Sequence, residues 1–234
     1  MNDIINNIKN IRKRMSQACE KAGREVDSVR LLLATKTVAA ERIRVAIDAG
    51  ETLLGENRIQ EFEVKNRELS GLKYERHFIG HLQLNKVKDI VKYEVGCIQS
   101  LESIELMHKL DRRFMEEGRS IDVMVQVNTS FETSKFGLDP ENVVAFLKEL
   151  KKYDTLKLKG FMTIGLFDSD AETVRPSYTR LRELRDRAIS EGIISPESRE
   201  LSMGMSNDLE TAIEEGATIV RVGSAIFGTR TPIL

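Results

Sequence analysis

Lys36 closes the run Arg30-Leu-Leu-Leu-Ala-Thr-Lys36, in which Leu31 to Ala34 are apolar. An ammonium group is expensive to leave at the end of a buried strand unless something uses it. At the mouth of a sheet covered on both faces it loses hydration. Its pKa is then expected to fall toward the range where a free, nucleophilic amine exists, which is the chemistry of a Schiff-base lysine. A lysine that snorkels over the sheet edge and pairs with a neighbour is the plain alternative. Far along the chain, Arg221-Val-Gly-Ser-Ala-Ile-Phe-Gly228 carries the complementary chemistry. Gly223 lets backbone N–H groups approach an anion, Ser224 adds a hydroxyl, and the turn can open a short helix. Gly223-Ser224 also suits an ordinary turn. Ser206 supplies a second hydroxyl, whereas Asp208 and Glu210 behind it repel anions, so the loop after Arg221 is expected to carry more of the binding.

Positioning such distant residues together is a matter of the elements between them. Residues 3 to 22 place Ile4, Ile5, Ile8, Ile11, Met15 and Ala18 at helical spacing, ended by Gly23. From the Lys36 strand onward a unit repeats: short apolar strand, polar turn, amphipathic helix. Strands are expected at 31–34, 52–55, 76–79, 97–100, 121–127, 156–163, 199–202 and 218–222. Pro140 suits the first turn of a helix over 141–151. A helix over 172–191 is expected to be interrupted near its start by Pro176. Asn207 and Glu210 have the spacing of a capping box, and Arg180 to Arg187 interleaves both charge signs as a solvated face does.

Eight strand-helix units exhaust the chain and predict a single-domain (β/α)8 TIM barrel over residues 1–234 with an extra N-terminal helix. An open doubly wound sheet is the alternative, but its first turn is normally Gly-rich, and here it reads Thr35-Lys36-Thr37-Val38. In a barrel, the C-terminal strand ends share one mouth. That mouth collects Lys36, Asn57, His81, Asn128, Met162, the loop 202–207 with Met203 and Ser206, and Arg221, Gly223 and Ser224. The polar loop Asn128 to Gly137 is placed to edge the site or close over it. A Schiff-base lysine facing a phosphate cup suits a phosphorylated aldehyde. Pyridoxal 5'-phosphate (PLP) carries both handles on one ring, and Arg221 is an Arg of the kind set against the ring nitrogen.

Composition narrows the partners. Thirty-six basic residues nearly cancel 37 acidic ones, so no net field draws the chain to nucleic acid or an anionic membrane. No apolar run approaches the roughly 20 residues of a membrane span, and residues 1–7 lack a signal-peptide pattern, which points to the cytoplasm. Cys19 and Cys97 read as reduced thiols. His77 and His81 have zinc-helix spacing without the Glu of HExxH, so no metal is expected.

Six segments resemble the pyridoxal phosphate homeostasis proteins, relatives of the alanine racemase N-terminal barrel. They are Ala34-Thr-Lys-Thr-Val38, Gly55-Glu-Asn-Arg58, His77-Phe-Ile-Gly-His-Leu-Gln-Leu-Asn-Lys86, the 128–137 loop with Glu132, Lys135 and Gly137, Leu201-Ser-Met-Gly-Met-Ser-Asn-Asp208, and Arg221 to Gly228. The resemblance implies that Lys36 carries PLP as a Schiff base and that Arg221 faces the pyridine nitrogen. It also implies that Ser206, Gly223 and Ser224 hold the phosphate and that Asn57 lies near the phenolic oxygen. His81 and Met203 are counted with the cofactor-binding residues, and no catalytic residue is assigned.

Racemisation needs a proton-transfer group on each face of the PLP adduct. In the racemase the opposing tyrosine comes from a second domain, and Tyr74, Tyr93, Tyr153 and Tyr178 here fall away from the expected mouth. The expected function is to buffer or deliver PLP to PLP-dependent apo-enzymes, as a monomer and with little or no turnover. The alternatives are a PLP-dependent amino-acid racemase or decarboxylase, a Schiff-base aldolase without cofactor, and a barrel serving only as an interaction scaffold.

Overall fold

The computed structural model describes residues 2–132, 135–166, 168 and 170–228. Its strands are β1 (Arg30–Ala34), β2 (Leu53–Glu56), β3 (Glu75–Phe78), β4 (Cys97–Leu101), β5 (Ile121–Gln126), β6 (Leu156–Met162), β7 (Glu200–Ser202) and β8 (Ile219–Val222). They pair in chain order, all parallel, and β8 returns to β1 with Leu33 opposite Val222, so the sheet is a closed barrel. The helices are α1 (Asn2–Lys21), α2 (Ala40–Asp48), α3 (Ile59–Glu68), α4 (Val87–Lys92), α5 (Ile104–Glu116), α6 (Val143–Leu150), α7 (Ala171–Ser190), α8 (Leu209–Glu214) and α9 (Ser224–Phe227). This is the expected (β/α)8 barrel with its additional N-terminal helix.

Each apolar strand serves two cores because its side chains alternate across the sheet. Leu32, Leu53, Cys97, Met124, Met162 and Ile219 fill the barrel interior. Leu31, Leu33, Leu54, Val123, Val125, Val220 and Val222 point the other way and pack under the helices. Uniformly apolar strands are the outcome of coverage on both faces.

Helix α1 buries Ile4, Ile8, Ile11, Met15 and Ala18 along one stripe. It is also clamped to the end of the chain. Asn7 Nδ2 donates to the Ile226 carbonyl at 3.0 Å, Arg24 donates to the Ile213 carbonyl at 2.7 Å, and Arg14 pairs with Glu210 at 2.5 Å. Helix α8 and, through Asn7, the segment after β8 are thereby held against the N-terminal part of the chain.

Three expectations are corrected. The capping box is absent: α8 begins at Leu209, its N-cap is Asp208, and Glu210 is turned to Arg14. Helix α7 runs unbroken through Pro176, because a proline early in a helix forfeits few bonds and buried Val174, Ser177 and Tyr178 hold the turn against the core. The 180–187 stretch is not simply solvated. Arg180 donates to the Thr129 carbonyl at 2.6 Å and lies over the Phe131 ring, Arg182 pairs with Glu215 at 3.0 Å, and Leu181 and Leu184 are buried.

Candidate functional site

Strand β1 ends one residue before Thr35, which is fully buried, and the chain then turns at Lys36 and Thr37. Thr37 has φ +61°, a left-handed conformation unfavourable for a β-branched residue. Its N–H donates to Glu61 Oε2 at 3.2 Å. The same corner is bound from behind by Lys65, a buried lysine of α3. Its ammonium donates to the Thr35 carbonyl at 2.6 Å, to Glu56 Oε1 at 2.7 Å and to Glu61 Oε2 at 2.7 Å. Glu56 also accepts from the Thr35 hydroxyl at 2.6 Å. Burial pushes the Glu56 carboxyl up to about 6 despite the opposing Lys65 charge, and its Oε2 has no hydrogen-bond partner among the described residues. A strained turn that persists only because its surroundings over-determine it is a common way to present a functional side chain.

Across the opening, β8 runs into Gly223. A Cβ there would lie 2.8 Å from the Ala34 carbonyl oxygen, so only glycine lets this turn close on the end of β1. Ser224 follows, with its hydroxyl 3.4 Å from that of Ser206, which in turn accepts the Ala225 N–H at 3.4 Å. Arg42 of α2 donates to the Phe227 carbonyl at 2.7 Å and secures the segment from the β1 side. Asp208 does not confront this cup with an idle charge. It is buried and accepts the Met205 N–H and, at 2.9 Å, the Tyr178 hydroxyl.

Arg221 sits between the two sides, buried, with one guanidinium nitrogen 2.7 Å from Ser202 Oγ and another 2.7 Å from the Thr163 carbonyl. Burial lowers its pKa from the ordinary value, and a guanidinium keeps its proton even so. Asn57, directly after β2, carries a buried Oδ1 with no hydrogen-bond partner among the described residues. Gly80 packs on it so closely that a Cβ would lie 2.2 Å from the Asn57 carbonyl oxygen.

Lys36, Asn57, His81, Ser206, Arg221, Gly223 and Ser224 line one cavity of about 1450 Å³ at the C-terminal mouth of the barrel. Met203 does not line it. It is fully buried in the layer between sheet and helices, and Met205, two residues on, faces the cavity instead. His81 stands at the rim, its Nδ1 2.6 Å from Glu102 and its ring stacked on Phe136 at 4.1 Å. Through Phe136 the 128–137 loop edges the site. Within that loop Asn128 donates to the Glu132 carbonyl at 3.0 Å and Lys135 to the Gly165 carbonyl at 2.7 Å, while residues 133 and 134 lie outside the described residues. None of the four tyrosines lines the cavity. Among the described residues no group of three or more His, Cys, Asp or Glu could hold a metal ion.

Sequence reasoning gave no role to Glu56 or Lys65, and within the two loops that it placed at the mouth it singled out neither Met205 nor Phe136. A signal for Lys65 exists, since it falls on the apolar stripe of α3 with Ile59 and Phe62.

The chain matches the family model described as alanine racemase, N-terminal domain, over residues 2–231. It is 42% identical to the pyridoxal phosphate homeostasis protein of Aquifex aeolicus, covering 93% of this chain and 94% of that one. The structure of PipY of Synechococcus elongatus with PLP bound superposes with a TM-score of 0.83 at 32% identity, covering 96% of this chain and all of that one. An alanine racemase of Clostridium difficile shares the fold, with a TM-score of 0.77 at 16% identity, and the match covers all of this chain and 58% of the racemase. With the family model matched over residues 2–231 and 42% identity along nearly the whole of a relative, the chain belongs to the alanine racemase N-terminal domain family, among the pyridoxal phosphate homeostasis proteins.

Proposed function

We propose that this protein holds PLP on Lys36, buffers it and releases it to PLP-dependent apo-enzymes, with little or no turnover of its own. The observation that carries this reading is the convergence, in one cavity, of the strand-end lysine, the buried Arg221 and the Ser206–Gly223–Ser224 cup. The cavity also fits PLP at the points between: the Asn57 amide is short of a partner, and either end of it can be presented to a ring substituent. The PLP-bound PipY structure and the names of the relatives support the same choice of ligand.

In this reading Lys36 would hold the aldehyde carbon, Arg221 would face the ring nitrogen as a donor, and the two serines with the Gly223 backbone would hold the phosphate. PLP, when bound, supplies an electron sink for carbanion chemistry. Arg221 restrains that sink, because a cationic donor at the ring nitrogen disfavours a second proton there. The cavity wall lacks a tyrosine to face Lys36, which supports storage over racemisation. The buried free thiols Cys19 and Cys97 fit a reducing cytoplasm. Among the described residues no helix is long and apolar enough to cross a membrane.

The test is to saturate the protein with PLP, remove free PLP by gel filtration, and assay both retention and turnover on a panel of amino acids. Retention near one equivalent with turnover well below about 1 per second is expected. Loss of PLP on the column, or racemisation at about 1 per second or more, would overturn the proposal.

A further inference from the structure

The barrel interior contains a polar line that runs from Arg221 of the cofactor site to residues with no place in that site. Arg221 lies two residues beyond interior Ile219 and Gln99 two beyond interior Cys97. His77 pairs in register with Cys97, and Ser202 with interior Met162. The pleat therefore turns all four inward. Arg221 lies 2.7 Å from Ser202 Oγ, Ser202 Oγ 2.6 Å from Gln99 Oε1, and Gln99 Nε2 2.8 Å from His77 Nδ1. Beyond it, His77 Nε2 stands 3.6 Å from Glu75 Oε2, an electrostatic contact longer than a hydrogen bond.

The polarity of this line is set at its ends. A guanidinium can only donate, so Ser202 Oγ accepts from Arg221 and its single proton goes to Gln99 Oε1. The Gln99 amide then has only N–H to offer His77, whose Nδ1 must accept. A neutral ring accepting at Nδ1 carries its proton on Nε2, toward the Glu75 carboxylate. The reversed amide would leave the Ser202 proton without its acceptor and would put either a lone pair or a second ring proton against Glu75. In the observed sense every dipole stabilises a cation at the Arg221 end, and bonds aligned this way reinforce one another.

We propose that Gln99 and His77 are positioning residues that fix the guanidinium of Arg221 in the orientation it presents to the cavity, with His77 held as the Nε2–H tautomer. The proposal rests on the PLP-binding reading for its consequence and on the interior geometry for its structure. On one side of His77 stands Gln99 of β4; on the other, His77 shares the small cavity at the opposite end of the barrel with Glu75 and Arg76 of its own strand, Tyr74, Glu94, Cys97 of β4, Arg30 of β1, Asp122 of β5, Lys159 of β6 and Glu200 of β7. Arg30 donates to Glu75 at 2.6 Å, and the Glu75 carboxyl is drawn down to about 2, first by His77 and then, against partial burial, by Arg30. A carboxylate is therefore kept beneath the ring.

Two measurements test this separately. In cofactor-free protein labelled with 15N-histidine, ring nitrogen shifts at neutral pH should show His77 protonated on Nε2 and accepting at Nδ1. Gln99→Glu, whose carboxylate cannot donate, should invert the pattern. An Nδ1–H tautomer in the native protein, an averaged signal like free imidazole, or no inversion in the variant would overturn the proposal whether or not PLP binds. Second, Gln99→Leu and His77→Phe, checked for folding by circular dichroism, should bind PLP about tenfold more weakly. They should also displace the visible absorption band of bound PLP in the same direction as Arg221→Lys. Met124→Ala, an interior change outside the line, should lower stability without moving the band. Native affinity and band in both folded line variants would overturn the positioning role. Failure of the native protein to bind PLP would instead overturn the proposed function, leaving the tautomer measurement to decide the line.

Discussion

Lys65 Nζ lies 2.6 Å from the carbonyl oxygen of Thr35, the residue immediately before Lys36. The corner that presents the proposed cofactor lysine is thus tied to α3 by a buried ammonium that also pairs with Glu56 and Glu61. Removing one partner of a buried pair strands the other, which typically costs about 3–5 kcal/mol. Lys65→Met should lose stability on this scale in urea unfolding at pH 7 and weaken PLP retention. A loss below about 1 kcal/mol would show that the pair is dispensable.

Two carboxyls give the protein opposite pH slopes. Glu56 is raised from an ordinary 4.5 to about 6, so between those values the folded state binds the proton more tightly and stability falls as pH rises. Glu75 is lowered to about 2, so its contribution is present above 4.5 and lost as pH falls toward 2, muted by its partial exposure. Chemical denaturation across pH 2 to 7 should therefore find that Glu56→Gln removes the decline between 4.5 and 6, and Glu75→Gln flattens the acid limb. A Glu56→Gln profile parallel to that of the native protein would contradict the first assignment.

Gly80 has no room for a methyl group, since its Cβ would meet main-chain atoms of Asn57 at 2.2 and 2.6 Å. Backbone cannot rotate away as a side chain can. Gly80→Ala should destabilise by about 1–3 kcal/mol, the usual cost of overpacking. Because the atoms displaced belong to Asn57, PLP retention should drop as well, and a variant with native stability and retention would show that the Asn57 position is slack.

The serine cup is assigned to the phosphate, and a comparison of two ligands isolates it. Ser206→Ala with Ser224→Ala should weaken PLP by about ten- to a hundredfold, the scale of hydrogen bonds to a charged group, while leaving pyridoxal, which lacks the phosphate, nearly unchanged. Equal losses for both ligands, measured by absorbance titration, would place the serines elsewhere in the site.

Most of this site could be read from the chain because a barrel turns strand order into geometry. Once eight strand ends were located, Lys36, Asn57, Arg221 and Gly223 had to share a mouth, and seven of the eight residues expected to bind the cofactor line its cavity, whereas Asn128 and Met162, also expected at the mouth, do not: Met162 fills the barrel interior and Asn128 is bonded within its own loop. Met203 failed because a one-residue change of register decides whether a side chain enters the barrel or the surrounding layer, and Met205 took the place expected of it. The line through Ser202, Gln99 and His77 was illegible for a related reason. Each member is unremarkable on its own strand, and only closure of the sheet at this register brings β3, β4, β7 and β8 onto one interior path. The Asn207 cap misled because the helix starts one residue later, at an N-cap Asp208 that makes no capping hydrogen bond and whose carboxylate instead accepts from the Met205 N–H and the Tyr178 hydroxyl.

The central claim is a covalent one and is best tested covalently. Protein saturated with PLP, reduced with borohydride and digested for peptide mass mapping should carry one reduced pyridoxyl phosphate group, on the peptide containing Lys36, and Lys36→Ala should carry none there. An unmodified Lys36 in saturated protein, or the label on a different lysine, would contradict the account.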